Sequence, residues 1–472
     1  MDLVPHPPTG PGAAAPADEL ASLEPPDALV RRYEASGPRY TSYPTVPSWT
    51  DAFGPADYAA KLEEAGRAGA EAPLSVYVHV PFCRKLCTYC GCNVVISRNP
   101  KEADRYLDQV SRELDLVAVR LGSRAQVSQL HWGGGTPTFL DERQLERLWK
   151  LLSGHFQVTA DAEVSVELNP AVTSDAQLAQ LRQLGFNRLS MGVQDFDPDV
   201  QRAINRVQTA EQTQSLLTEA RRLGFGGVNF DLIYGLPHQR EETWAQTLAT
   251  VLAMRPDRFA VYAFAYLPEA MVHQRKIPVA AMPSGPSKLA LLRQATRAMH
   301  EAGYRAIGMD HFALPDDELS VAQGKRTLWR NFQGYTVRSA LDVVSFGASA
   351  ISDLAGAFAQ NASDLPDYTR ALEEGRLATA RGLLLTPDDR RRRALITQLM
   401  CNFWVDLGGD GASYFAAELE ALRPMEADGL VRLSGTELTV LPLGRFFVRN
   451  VAMVFDAHLE EARRRVVFSK TV

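Results

Sequence analysis

Apolar positions along the chain fall into two alternating rhythms. Short segments rich in β-branched and aromatic residues occur at 75–81, 127–132, 162–168, 188–193, 227–233 and 258–265. Between them the apolar spacing lengthens to that of amphipathic helices. One helix is predicted from about Asp141, where Gln144 suggests a capping box and Leu145, Leu148, Trp149 and Leu152 form the stripe. A second starts near Thr173 or Ser174, carries Leu178, Leu181 and Leu184, and stops at Gly185. A third runs from Thr209 through Leu216, Leu217, Ala220 and Leu223 to Gly224. Glycine at such stops suits a left-handed C-cap.

Strand and helix alternating six times predict a parallel sheet, either doubly wound or a partial or complete (β/α) barrel. Six units favour the partial barrel over the closed eight-unit one. In either form, chemistry belongs beyond the carboxyl ends of the strands. After about Asp364 the rhythm changes. Helices are expected over 368–415 and 418–426, a strand pair over 430–433 and 438–441 turning at Ser434–Gly435, and a last helix over 445–465. The expected organisation is therefore a Pro/Ala-rich disordered extension (1–26), an N-terminal segment covering the barrel mouth (27–70), a catalytic domain (71–364) and a mainly helical C-terminal domain (365–472).

Composition adds limits. The chain has 472 residues, 46% hydrophobic and 22% charged, and a formal charge of −6. The longest apolar run, 259–267, is too short to span a membrane. The N-terminus lacks the basic region and apolar core of a secretory signal. The acidic balance argues against nucleic acid as a partner. The basic run Arg390–Arg393 follows Thr386, Pro387 and two aspartates, so it reads as the solvated face of a capped helix. No hydrophobic seam demands an obligate partner, and the expectation is a cytoplasmic monomer.

Four of the five cysteines lie between Cys83 and Cys92, directly after the first strand, while Cys401 reads as a core thiol. So local a cluster points to metal rather than to a disulfide framework. The spacing Cys83-x3-Cys87-x2-Cys90 suits three corners of a [4Fe–4S] cubane, leaving one iron open to an exogenous ligand. The amino and carboxylate groups of S-adenosylmethionine can chelate that iron, and one electron then cleaves a C–S bond to a 5′-deoxyadenosyl radical. A structural zinc held by all four thiols is the alternative, although zinc sites usually draw two close pairs from separate knuckles. The second strand ends in Gly133-Gly134-Gly135-Thr136-Pro137, which lets backbone approach a ligand. The third, fourth and fifth strands end at Glu167, Gln194 and Asp231, acceptors suited to a ribose or a sulfonium. Arg206 follows in the loop after Gln194, and Ala265 and Tyr266 end the sixth strand.

With these residues assembled, the chain resembles the oxygen-independent coproporphyrinogen III oxidase (dehydrogenase) family of radical S-adenosylmethionine enzymes. The resemblance runs from about Tyr33 to the C-terminus. It rests on SGPRYTSYPT at 36–45, YVHVPFCRKLCTYCGCN at 77–93, QLHWGGGTPT at 129–138 and RLSMGVQDF at 188–196. DLIYGLP at 231–237, GMDHFALPDDEL at 308–319 and RNFQGYT at 330–336 extend it. It implies a partial (β/α)6 barrel with a helical C-terminal domain, cluster ligation by Cys83, Cys87 and Cys90, and a retained non-ligand Cys92 in a supporting role. It maps S-adenosylmethionine contacts onto Tyr77, Gly134, Glu167, Ala265 and Ile351, and contacts of a second molecule onto Tyr89, Gly135, Thr136, Gln194, Arg206 and Asp231. The implied reaction converts two propionates of coproporphyrinogen III to vinyl groups, giving protoporphyrinogen IX in haem biosynthesis, with a low-potential electron donor as partner. Arg39, Lys325 and Arg330 are candidate partners for the substrate carboxylates. A haem-binding chaperone of the same superfamily is disfavoured by Gly91-Cys92 and the SGPRYTSYP segment, and an RNA-modifying radical enzyme by the acidic pI. Tyr266 stands where the family pattern leads one to expect histidine.

Overall fold

The computed structural model describes residues 25–338 and 341–471. The extension expected over 1–26 therefore lies outside the described residues except for Pro25 and Pro26.

Two compact units divide the chain. The first comprises Thr50–Pro283 and Ala340–Leu384. Its six predicted strands form as β1 (Leu74–Val80), β2 (Gln126–Gly134), β3 (Gln157–Leu168), β4 (Arg188–Gln194), β5 (Gly227–Tyr234) and β6 (Arg258–Ala263). They pair in parallel and in chain order from β1 to β6. Beyond β1 the sheet continues through β7 (Asp342–Phe346), parallel to β1, and then antiparallel through β8 (Ile351–Leu354), β9 (Ala357–Asn361) and β10 (Thr379–Leu384). That extension was not legible as strand–helix rhythm, because antiparallel neighbours need no crossover helix and β7, β8 and β9 follow one another through short turns.

The crossover helices begin where local chemistry places them. Asp141 accepts from the Gln144 N–H and Gln144 reciprocates, capping Glu142–Ser153. Ser174 with Gln177 and Thr209 with Gln212 repeat the device for Asp175–Gln183 and Ala210–Leu223. Gly224 ends the last of these at φ +85°, a conformation that costs a residue with a Cβ. Trp132 and Phe186 meet edge-to-face at 4.6 Å in the core beneath β2. Val76, Val78, Val164, Val166, Phe230 and Phe259 are buried along the parallel strands. Such strands are covered on both faces and so read as continuous apolar runs.

The second unit comprises the described residues up to Trp49, with 284–339 and 385–472. These limits differ from boundaries at 70/71 and 364/365. Tyr40 and Tyr43 pack into one apolar cluster with Leu395, Leu399, Phe415, Phe447 and Phe455, which joins this early segment to the C-terminal helices. Arg449 seals the junction by donating to the carbonyls of Gly37, Pro38 and Lys470. The unit is not purely helical. It holds an antiparallel hairpin, Arg305–Ile307 with His311–Ala313, and a three-stranded sheet of Trp404–Asp406, Glu437–Val440 and Val431–Ser434. The expected strand pair is present there.

Three expectations change. The stretch 368–415 holds a strand, Thr379–Leu384, between helices Leu365–Glu373 and Pro387–Asn402. The last helix, expected over 445–465, is a 3-10 turn Leu443–Phe447 followed by Val448–Val454 and Leu459–Arg465. The Asp456 carboxylate interrupts it by accepting from the His458 N–H and the Tyr40 hydroxyl. Arg391 and Arg392 are half-buried rather than solvated: Arg391 pairs with Asp410, and Arg392 with Asp388 and Glu418. Cys401 is fully buried, as a core thiol should be.

Candidate active site

Chemistry collects beyond the carboxyl ends of β1 to β6. Phe82–Cys83 pairs in parallel with Val95–Ile96, closing the cysteine loop at its base. Cys83, Cys87 and Cys90 are half-buried. Two segments hold the loop. The Asn205 amide donates to the Leu86 carbonyl at 2.8 Å, and Thr88 is bonded through its N–H to Ile204 and through its hydroxyl to Ala203. From the other side, His273 Nε2 lies 2.8 Å from the Cys90 carbonyl, and Gln274 donates to the carbonyls of Tyr89 (3.5 Å) and Ala265 (3.2 Å). The cysteines are thereby presented on a fixed scaffold.

The glycine run is laced to the same loop. The Gly135 N–H donates to Val80 and the Thr136 N–H to Phe82, while Cys83 Sγ lies 3.4 Å from the Thr136 hydroxyl. A Cβ on Gly135 would come within 2.7 Å of the Pro81 carbonyl oxygen, and one on Gly134, at φ +115°, within 2.7 Å of the His79 imidazole. Only glycine lets the two backbones approach this closely. Glu167 extends from β3 to accept from the Gly134 N–H at 3.0 Å, and His131 Nε2 stands 3.3 Å from its other oxygen. Burial works against the charge of Glu167, but the His131 hydrogen bond and the Gly134 N–H outweigh it and hold the carboxyl below its ordinary value. Its side chain nonetheless keeps 43% exposure, so it can accept from a ligand. Tyr77 stacks on His131, with centroids 5.8 Å apart and planes 14° apart, and its hydroxyl meets His79 Nδ1 at 3.1 Å.

Gln194 ends β4 at φ +68°, in the left-handed region, and its Oε1 is buried with no partner among the described residues. Arg206 donates to the Gly192 carbonyl at 2.6 Å and also bonds Cys87, while its Nε is likewise buried and unpartnered. A Cβ on Gly192 would strike both Gln194 and Arg206. Asp231 on β5 accepts from Ser190 (3.1 Å) and Asn229 (2.8 Å); burial, then the charge of Glu167, pushes its carboxyl up to about 7. Ile351 joins through its carbonyl, which accepts from Ser345, the residue in register with Tyr77.

The donor set fits both expected groups. Three thiols share one loop, yet among the described residues no three His, Cys, Asp or Glu side chains converge as a single metal ion requires. A cubane, by contrast, spreads its three thiolate ligands over separate irons. Beside the loop stand a glycine run packed directly on His79, Pro81, Phe82 and Glu167, and orphaned buried polar atoms on Gln194 and Arg206. These are what a polar, zwitterionic ligand satisfies.

Among curated proteins, the oxygen-independent coproporphyrinogen III oxidase of Pseudomonas aeruginosa is 45% identical over 446 residues, covering 93% of this chain and 96% of the relative. That of Escherichia coli is 45% identical, covering 94% and 98% respectively. The chain belongs to the oxygen-independent coproporphyrinogen III oxidase family. The radical SAM superfamily model matches residues 77–251. The solved structure of Escherichia coli coproporphyrinogen III oxidase, described as a radical SAM enzyme, superposes with a TM-score of 0.87 at 44% identity, over 92% of this chain and 99% of that one. The radical SAM fold of this family is thus the architecture described above.

Thirteen of the family-derived positions gather within the first unit through the contacts given above, from Tyr77 to Ile351; Tyr89 joins them through a side-chain hydrogen bond to Cys87 and packs with Tyr266 against the neighbouring apolar cluster. Cys92 bonds to Cys90, which holds the Cys90 thiol below its ordinary value, whereas burial pushes Cys83 up to about 11. The substrate candidates belong to the second unit. Arg39 pairs with Asp310 at 3.0 Å, and Arg330 lies over the Tyr335 ring and bonds its hydroxyl at 3.2 Å. Lys325 is an exposed helix C-cap, and no described contact brings it to that pair. Sequence reasoning missed His79, His131, Gly192, His273 and Gln274. His79 and His131 were legible as polar residues interrupting apolar strands; the other three act through contacts distant in sequence and left no local signal.

Proposed function

We propose that Cys83, Cys87 and Cys90 hold a [4Fe–4S] cluster and that Tyr77, Tyr89, Gly134, Gly135, Thr136, Glu167, Gln194, Arg206, Asp231, Ala265 and Ile351 bind S-adenosylmethionine beside it. The observation that carries this reading is the direct lacing of the glycine run to the cysteine loop, with the Glu167 carboxylate bonded to Gly134. As a member of its family, the enzyme catalyses oxygen-independent oxidative decarboxylation of two coproporphyrinogen III propionates to vinyl groups, giving protoporphyrinogen IX. When bound, the cluster and S-adenosylmethionine supply the one-electron C–S cleavage and the radical that removes hydrogen from the propionate β-carbon.

The protein's own part is positioning. Glu167, charged at neutral pH and fixed by His131 and Gly134, offers a directed acceptor to ribose hydroxyls or the sulfonium. Gly134 and Gly135 pack without side chains on His79 and the Pro81–Phe82 backbone, which sets the run directly against the cysteine loop. Arg206 complements a carboxylate, and Gln194 adds an amide oxygen that has no partner among the described residues. Arg39 and Arg330 remain our candidates for substrate propionates, with Asp310 fixing Arg39 in orientation. The external partner is a low-potential electron donor.

The test is an anaerobic incubation of iron-reconstituted protein with coproporphyrinogen III, S-adenosylmethionine and a low-potential reductant. Enzyme-dependent protoporphyrinogen IX, with methionine and 5′-deoxyadenosine, is expected. Cleavage of S-adenosylmethionine with the porphyrinogen intact would move the assignment to a haem-handling relative.

A further inference from the structure

The chain is acidic overall, yet one surface beside the cysteine loop is not. Residues 81–101 contain Arg84, Lys85, Arg98 and Lys101 and no aspartate or glutamate. The fold concentrates them. Because Phe82–Cys83 and Val95–Ile96 run parallel and in register, the residues that follow each strand emerge at the same end. The Ser97 N–H donates to the Cys83 carbonyl at 3.0 Å, fixing that alignment. Arg84, Lys85 and Arg98 thus line one groove of about 600 Å³, with Phe139 in its wall. All three are exposed and have no ion-pair partner among the described residues. The one acid in the groove, Asp141, is occupied as a helix cap by the Gln144 N–H at 2.8 Å. Ile96, 46% exposed and paired with Cys83, adds an apolar point next to the charges.

Unpaired cations held in one place on a protein of net charge −6 are not explained by folding; they carry self-repulsion with no internal return. Arg84 immediately follows Cys83, so whatever docks here stands beside the proposed cluster ligands. We infer that this groove is the docking site for an acidic, low-potential one-electron carrier protein. The inference rests on the cluster reading of Cys83, Cys87 and Cys90. In the transfer step the carrier's centre is oxidised by one electron and the cluster is reduced by one; no bond forms or breaks. Charge complementarity steers encounter and sets register, while Phe139 in the groove wall and exposed Ile96, two residues before Arg98, supply apolar contact.

Binding of two probes to the reconstituted holoenzyme tests this: a plant-type [2Fe–2S] ferredoxin and a flavodoxin, each titrated calorimetrically at 50 and 300 mM salt. The expected result is binding of at least one carrier, weakened tenfold or more at the higher salt. The triple variant Arg84→Glu, Lys85→Glu, Arg98→Glu should bind about 100-fold more weakly at low salt. Its cluster absorption and its dithionite-driven cleavage of S-adenosylmethionine should match the parent. Arg98→Glu with Lys101→Glu, outside the cysteine loop, should weaken binding about tenfold even if the triple variant assembles no cluster. The inference is overturned if neither carrier binds the parent at 50 mM salt, or if both variants bind as the parent does. A parent that fails to cleave S-adenosylmethionine with dithionite overturns the cluster reading itself, a result separate from either binding outcome.

Discussion

Glu167→Gln separates the charge at the site from the fold around it. The carboxylate makes two contacts, accepting from the Gly134 N–H at 3.0 Å and from His131 Nε2 at 3.3 Å. Glutamine reproduces both. Its carbonyl accepts from Gly134, and its amide donates to an imidazole whose proton has moved to Nδ1, which then donates to the Ser165 hydroxyl 2.6 Å away. Thermal unfolding should therefore shift little. What disappears is an anionic acceptor with 43% of its surface open to a ligand. Hydrogen bonds to charged groups contribute about 1.5–3 kcal/mol against about 0.5–1.5 for neutral ones, a difference of roughly 1–2 kcal/mol. At about 1.4 kcal/mol per factor of ten, S-adenosylmethionine should bind roughly five- to thirtyfold more weakly. Anaerobic equilibrium dialysis of the reconstituted protein measures this directly. A Kd within twofold of the parent, with cluster content intact, would refute Glu167 as a ligand-binding carboxylate.

Other consequences follow from single contacts. Gly135→Ala places a Cβ 2.7 Å from the Pro81 carbonyl and 2.8 Å from that of Phe82, an overpacking of about 1–3 kcal/mol that must push the cysteine loop outward. Reduced iron content after reconstitution, with an unchanged far-ultraviolet spectrum, is the expected result. Arg124, 5% exposed, donates to the carbonyls of Ala65, Ala72 and Pro73 and pairs with Asp342 at 2.5 Å. Arg124→Met leaves a charge and three carbonyls stranded, and chemical denaturation should show a loss of about 3–5 kcal/mol. The Asp231 carboxyl, pushed by burial from 3.8 up to about 7, binds its proton more tightly folded than unfolded. It therefore favours the folded state most below about pH 4, and that contribution is lost as pH rises through 7. Asp231→Asn should flatten the fall in ligand-free melting temperature between pH 5 and 8; an unchanged slope would reject the shift.

Much of the first unit was written locally. Apolar runs of strand length, capping boxes at Asp141, Ser174 and Thr209, and the stop at Gly224 depend on neighbours within a few residues. A sequence displays such interactions directly. The Cys83–Cys90 spacing and the polar residues closing β3 and β4 were legible for the same reason, whereas Asp231, expected to end the fifth strand, lies inside β5, which runs on to Tyr234. Tertiary structure decided what depends on distant partners. Only folding brings Tyr40 and Tyr43 of the N-terminal segment onto Phe455, interrupts the last helix at Asp456, and turns Arg391 and Arg392 from surface charges into half-buried ion pairs. The strands after β7 escaped because antiparallel pairing leaves no crossover rhythm. At the site, His131 gains its meaning only when β1, β2 and β3 align to stack it on Tyr77 and point it at Glu167. Sequence determined which chemistry was carried on which strand end; the close approach of backbones, and the partners that set each charge, were settled by packing alone.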